Sequence, residues 1–237
     1  MTEAYEKILS IDIGGTSIKA ATLNMDGKLQ QEYKKLPTPS PATPAAVLKT
    51  INELVNDFNY DKIAIGFPGY VKNGIIKTAP NLGTEAWKNT NLAKKLNSVL
   101  GKPARVINDA DMQGLGIISG KGFEMVITLG TGFGTAFFKN GMLLPHLEIA
   151  HHPIKKDKTY DEFIGAKALK EIGKQKWNTR VKYILSVLKT VFNYDTLYVG
   201  GGNAKKINFK PASNIKLVTN IDGIDGGAKL WQQEEGV

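Results

Sequence analysis

The chain has 237 residues, a formal net charge of +9, 42% hydrophobic and 22% charged residues, and no cysteine. These proportions belong to a folded globular protein and exclude wholesale disorder, and the missing cysteines exclude disulfides, thiolate metal sites and cysteine nucleophiles together. The N-terminal MTEAYEKILSIDIGG sets two glutamates ahead of a short apolar run, neither a basic leader nor a membrane span, so a cytoplasmic protein with no membrane contact is expected.

In chain order, KILSIDI, GGT and SIKAATL read as strand, turn and strand, followed by the turn NMDG and a third extended run toward Leu36. This is a β-meander. Four prolines in the eight residues Pro37 to Pro44 forbid helix and strand ladder alike and mark a surface loop. Val47, Ile51, Leu54, Val55 and Phe58 then fall at helical spacing. KIAIGFPG reads as a buried strand ending in a Gly-Pro loop, Asn91 to Leu100 as a helix stopped by Gly101 and Pro103, and ARVI as another strand.

The second half restarts the same programme. EMVITL, GTGFG, TAFFKNG and MLLPHL form another meander with a glycine-rich first turn. Thr159 and Glu162 spell a capping box, which predicts a helix through Ile172. A second helix is expected from about Trp177 to Phe192, with Val181, Ile184, Leu185, Leu188 and Val191 on its core face. TLYV is a strand, GGGNAKK a glycine turn into a short helix, NIKLV a last strand and IDGGAKLWQQ a closing helix. Two meanders about 115 residues apart are an architectural repeat. The expected domains are 1–107 and 108–237, with the last helix, about 223–235, packing back on the N-terminal domain.

The charge is unevenly spread. Between Lys155 and Lys216 lie 14 basic and 5 acidic residues, which leaves 17 of each sign elsewhere. The excess is either a solvated lysine-rich helix face or a surface that concentrates a polyanion.

Asp12, Gly14, Gly15, Thr16 and Lys19 lie across the first strand-turn-strand. A glycine turn can aim backbone N–H groups at an anion, with Thr16 and Lys19 adding a hydroxyl and a charge; the alternative is a simple glycine hairpin. The spacing is neither that of a P-loop nor that of a dinucleotide fingerprint. Gly130, Thr131, Gly132 and Gly134 form a matching turn in the second meander. Asn108 and Asp109 lie where a strand ends and a helical stretch begins, either as chemistry at a strand end or as a helix cap. Glu148 and His151 are spaced to meet one small polar ligand. His146, His151 and His152 lack the spacing and companions of a zinc site. Glu162 is accounted for by its cap. Gly200, Gly201, Gly202 and Asn203 join a strand to a short helix, where a phosphate or a flat base could approach the backbone.

The ordered set DIGGTSIK, GFPG, APNLGTEAW, INDAD, LGTGFGTA, LEIAHH and VGGGNAKK resembles the repressor, open-reading-frame and kinase (ROK) family of sugar kinases, and within it the bacterial polyphosphate glucokinases. The resemblance covers nearly the whole chain. It implies an α/β, actin-like, ribonuclease-H-like fold, with two βββαβα-type domains around a cleft. It implies two phosphate loops, Asp12 to Lys19 and Gly130 to Gly134, and an adenosine or distal-phosphate turn at Gly201, Gly202 and Asn203. Asp109 would be the general base, and Asn81, Asn108, Glu148 and His151 would hold the sugar. The implied partners are glucose with inorganic polyphosphate or ATP, the cofactor Mg²⁺ near Asp12, and the assembly a homodimer. Two departures stand out. The cysteine-rich zinc motif of many members is missing, and Ala150 replaces a glycine in the family's Glu-Leu-Gly-His. An ATP-dependent hexokinase and a sugar sensor are the alternatives. A sensor binding DNA by itself is not expected, because the eleven residues ahead of Asp12 leave no room for a helix-turn-helix. No nucleic-acid contact is expected either, since the basic stretch has no stacking platform or recognition helix.

Overall fold

The computed structural model describes residues 6–218 and 223–234. Its first sheet is built from β1 (Lys7–Ile13), β2 (Ser17–Asn24), β3 (Leu29–Pro37), β4 (Lys62–Phe67) and β7 (Ala104–Asn108), in the order β3-β2-β1-β4-β7. β1, β2 and β3 are antiparallel, whereas β4 and β7 add in parallel. The parallel additions require crossovers. Helix α1 (Pro44–Leu54) supplies one, opened by the Thr43 hydroxyl, which accepts the N–H of Ala46, with proline at the first turn. Between β4 and β7 the chain forms the small hairpin β5 (Val71–Lys72) and β6 (Ile75–Ile76), the turn α2 (Thr84–Trp87), and α3 (Leu92–Leu100). Asn91 caps α3, and left-handed Gly101 ends it. α4 (Asp109–Ile117) follows β7 directly.

The second sheet repeats this order with β8 (Phe123–Leu129), β9 (Phe133–Lys139), β10 (Met142–Leu143), β13 (Thr196–Gly200) and β14 (Ile215–Leu217), arranged β10-β9-β8-β13-β14. Here too two antiparallel pairings are followed by two parallel ones. Between β10 and β13 lie the small hairpin β11 (Pro153–Lys155) and β12 (Lys158–Thr159), then α5 (Tyr160–Ile164) and α6 (Ala166–Phe192). Each sheet has its own core. One surrounds Trp87, tilted against Phe67 at 4.8 Å, and the other surrounds Trp177, whose Nε1 donates to the Ile164 carbonyl at 2.7 Å.

The helices after Thr159 depart from expectation. The capping box forms, but α5 stops at Ile164 instead of reaching Ile172. A Cβ on Gly165 would lie 2.8 Å from the Thr131 carbonyl, and the N–H of Ala166 donates to the carbonyls of Gly130 and Thr131, both at 3.1 Å. The helix breaks because its backbone is needed by the glycine turn. α6 then starts at Ala166 and breaks at Gly173 (φ 75°, ψ 161°), so the helical stretch does end at Ile172 as expected and a second one runs on to Phe192. Val191, expected in the core, is 61% exposed. The closing helix is shorter than expected, a 3₁₀ turn at Gly223–Gly226 and then α7 (Gly227–Leu230), and position 235 of that expectation lies outside the described residues.

The chain divides into two compact units, Met1–Ile117 with Asp222–Val237, and Ile118–Ile221. The boundary falls after α4 and not at 107/108, because α4 packs within the first unit. A Cβ on Gly66 would touch Met112, and one on Gly116 would touch Asp225. Just past the boundary, the buried Glu124 accepts hydrogen bonds from the backbone N–H groups of Ser119, Gly120 and Lys121 and from the hydroxyls of Ser119 and Tyr198, at 2.7 to 3.1 Å. Burial pushes its pKa up, but the hydrogen bonds from Ser119, Tyr198 and Gly120 outweigh burial and hold it below the ordinary value. Among the described residues, no helix is long and apolar enough to cross a membrane, and no group of three or more His, Asp or Glu could hold a metal ion.

Candidate active site

In the first unit the parallel register aligns strand ends. Asp12 of β1 pairs with Gly66 of β4, Gly66 with Ile107 of β7, and Phe67 with Asn108. The carboxyl ends of three neighbouring strands therefore carry Asp12, the Gly66–Gly69 loop and Asn108–Asp109 to one edge, where open α/β sheets place ligands. The turn after Asp12 is held from outside its own hairpin. The Thr38 hydroxyl donates to the Gly14 carbonyl at 2.6 Å, and the Thr38 N–H donates to the Thr16 carbonyl at 3.0 Å. Gly15 and Thr16 are exposed, and Lys19 reaches back so that its Nζ lies 3.8 Å from Asp12 Oδ2. Asn81 is exposed beside this turn, its Cβ 3.6 Å from where a Cβ on Gly15 would stand.

Asn108 is 7% exposed and engaged inward. Its Nδ2 donates to the Gly69 carbonyl at 3.1 Å, and its Oδ1 accepts the N–H of Ala110 at 2.7 Å and of Asp111 at 3.3 Å. It both caps α4 and ties the Gly-Pro loop to the strand end. Asp109, half-buried at the first turn of α4, accepts the N–H of Ala110 on Oδ1 at 2.8 Å.

In the second unit Gly130, Thr131 and Gly132 form the turn between β8 and β9, whereas Gly134 lies within β9 opposite Thr128. Gly201 has φ 85°, and a Cβ there would lie 2.5 Å from the Leu129 carbonyl oxygen, so only glycine allows this approach. Asn203 follows, its N–H donating to Leu129 at 2.8 Å and its Nδ2 to the Gly130 carbonyl at 3.0 Å. The two glycine turns are thus one structure. Gly202 has open space where a Cβ would stand.

Beside this turn is a residue that sequence reasoning missed. Asp161 of α5 accepts the N–H of Phe133 on Oδ1 at 2.6 Å and fills the space a Cβ on Gly132 would need. Burial pushes its pKa up against that hydrogen bond, and it feels the charges of both His151 and Glu148. Glu148 sits with Oε1 3.5 Å from His146 Nε2 and Oε2 3.9 Å from His151 Nε2. The hydrogen bond from His146 holds its carboxyl below the ordinary value despite burial. The segment is anchored by the Thr135 hydroxyl, which donates to the Leu147 carbonyl at 2.9 Å. His146 is this carboxylate's partner and not a metal ligand of the histidine set, a pairing that two residues' spacing on extended chain is enough to suggest. Nothing local marked Asp161 or Thr38.

Each unit therefore presents a glycine turn with carboxylates at the carboxyl ends of its parallel strands. The chain matches the family model described as "ROK family" over residues 8–154. It is 36% identical over 220 residues to the polyphosphate glucokinase of Mycobacterium leprae, covering 86% of this chain and 66% of that one, so it spans slightly less than two thirds of that relative. It is 34% identical over 208 residues to the polyphosphate glucokinase of Mycobacterium tuberculosis strain CDC 1551 / Oshkosh, covering 83% and 77% of the two chains. Among solved structures it superposes on an inorganic polyphosphate/ATP-glucomannokinase from Arthrobacter sp. strain KM with a TM-score of 0.84 at 30% identity, over 96% of this chain and 99% of that one. The fold is the actin-like ATPase fold of ROK kinases, and the chain belongs to the ROK family.

Proposed function

We propose that this chain transfers a phosphoryl group from inorganic polyphosphate or ATP to the 6-hydroxyl of glucose, giving glucose 6-phosphate. The likeness to the mycobacterial polyphosphate glucokinases and the Arthrobacter glucomannokinase supports the donor and the sugar. The observation that carries the residue-level reading is Asp109, the half-buried carboxylate following the capped strand end at Asn108. Asp109 accepts the proton of the sugar hydroxyl as it attacks. Asn108 acts through position, fixing the first turn of α4 and the Gly69 loop. Asn81 and the ionised Glu148, with His151, hold further hydroxyls. The N–H groups of the two glycine turns and Lys19 hold the donor phosphates, so catalysis is positioning and electrostatics.

Asp12 is 13% exposed and offers one carboxylate near the phosphate turn, a donor set that suits Mg²⁺, which takes one or two carboxylates and completes its shell with water and substrate phosphates. When bound, that ion neutralises charge on the donor phosphates. A cytoplasmic homodimer is the assembly that accompanies this reading.

The test is glucose 6-phosphate formation by purified protein with Mg²⁺ and glucose, comparing long-chain polyphosphate with ATP. Turnover lost in Asp109→Asn upholds the proposal. Turnover with ATP alone removes polyphosphate as donor, and no product with either donor overturns it.

A further inference from the structure

From Lys174 to Lys210 the chain carries eight basic residues and one acidic residue, Asp195. Asp195 stands at the start of β13, where its Oδ2 accepts the N–H of Phe123 at 2.6 Å, at the opposite end of that strand from Lys205 and Lys206. The lysines beyond the far end of β13 are drawn together by a buried amide. Asn178, 3% exposed in the second turn after the Gly173 break, donates from Nδ2 to the carbonyls of Lys174 at 2.8 Å and Lys206 at 3.1 Å and accepts the N–H of Asn208 on Oδ1 at 2.9 Å. A buried amide in a helix interior is costly unless satisfied, and here it works as a peg fixing residues 206–208 against the helix.

Lys174, Asn178 and Lys182 stand at i, i+4 and i+8, one stripe of α6 about 12 Å long. The peg therefore has a lysine on either side, and Lys182 Nζ lies 4.8 Å from the centroid of the Phe209 ring. Lys205 and Lys206 follow Asn203, which holds the Gly130 carbonyl. The two Asn178 bonds bring the backbone of 206–208 to the helix between Lys174 and Lys182, and Lys174, Lys182 and Lys205 are exposed there.

We infer that Lys174, Lys182, Lys205 and Lys206 form a docking track for the distal part of a linear polyphosphate chain whose end lies at the glycine turns; this rests on the donor reading above. ATP offers three phosphates and a base. A long polyphosphate offers a continuous run of anionic oxygens, and only it gains from a second row of cations.

The test replaces all four lysines by alanine, which leaves the Lys206 carbonyl and its bond to Asn178 in place. The KM for long-chain polyphosphate rises about tenfold or more and its log–log salt slope falls by about three, while kcat and the ATP constants stay within about twofold. Four arginines at the same positions restore the KM, and an unchanged unfolding midpoint in the alanine variant assigns the effect to charge. Equal loss for both donors, or an unchanged KM for polyphosphate, overturns the track. So does single-stranded RNA bound as tightly as polyphosphate and lost equally in the variant, which marks a general polyanion surface. A wild type that uses ATP but neither uses nor retains polyphosphate also overturns it and leaves the sugar-kinase reading intact. A wild type without sugar turnover that retains polyphosphate, and loses it in the alanine variant, upholds the track and overturns the kinase reading.

Discussion

The Nδ2 of Asn203 donates to the Gly130 carbonyl at 3.0 Å and joins the turn after β13 to the turn after β8. Asn203→Ala removes this donor while the Ala166 N–H still reaches the same carbonyl, so the expected loss is that of one hydrogen bond, about 0.5–1.5 kcal/mol. Both turns lose definition, so the KM for polyphosphate and for ATP should rise together while the KM for glucose is unchanged. Initial-rate kinetics with each donor, alongside thermal unfolding, check this.

Gly201 and Gly202 are adjacent but not equivalent. Gly201→Ala forces a left-handed residue and a Cβ 2.5 Å from Leu129 oxygen, and is expected to destabilise by well over 1 kcal/mol. Gly202→Ala meets open space and should leave stability within about 0.5 kcal/mol. The new Cβ enters the open space beside the turn, so Gly202→Ala still weakens donor use. Denaturant midpoints and donor KM values separate the two effects.

Asn108 and Asp109 are neighbours with different assignments. Asn108→Ala removes a cap and a loop tether, with an expected loss of about 1–2 kcal/mol in stability. Asp109→Asn keeps an acceptor for the Ala110 N–H, so the unfolding midpoint should barely move while kcat falls about 100-fold to 10,000-fold. A large stability loss with modest kinetic change in Asp109→Asn would return this residue to capping alone.

Glu148 supplies a pH test. Its folded pKa is depressed by the hydrogen bond from His146 and by the charges of His146 and His151. A depressed carboxyl contributes stability above its unfolded pKa and loses that contribution as pH falls through the folded value. His146→Phe removes the largest lowering cause, so the acid limb of kcat/KM for glucose should move to higher pH. A pH profile of wild type and variant reads the shift, and an unmoved limb would remove Glu148 from sugar binding.

Asp161 behaves with the opposite sign. Burial raises its pKa, so ionising it costs folded-state stability, a cost that sets in above the unfolded pKa and is complete above the folded one. Asp161→Asn retains an acceptor for the Phe133 N–H and removes the charge. Stability at neutral pH, read from denaturant unfolding, should hold or rise, whereas Asp161→Ala should lower it by about 1–3 kcal/mol.

The two meanders were legible because alternating burial and glycine turns are local signals, and the repeat showed in their order. The capping box at Thr159 was legible for the same reason. The end of α5 was not, because Gly165 is set by the carbonyls of Thr131 and Asp161, contacts remote in sequence or hidden by the fold. Asn108 read equally well as a ligand or as a cap, and the structure adds the Gly69 tether that no spacing announced. Asp161 was overshadowed by its neighbour Glu162, whose motif is recognisable within four residues, while the partner of Asp161 at Phe133 is not. The lysine excess was visible as composition. Its gathering by Asn178 was not, since a polar residue in a helix says nothing of what it pegs.

The first unit is discontinuous, and this bears on how the protein is made. The Ser10 hydroxyl donates to the Ile224 carbonyl at 2.7 Å, and Arg105 Nη1 donates to the carbonyls of Leu230 and Gln233. During synthesis the ribosome must deliver all of 118–221 before those acceptors exist. The second unit is one uninterrupted stretch and can finish on the nascent chain, while β1 waits with one face uncovered for residues 223–234 to emerge.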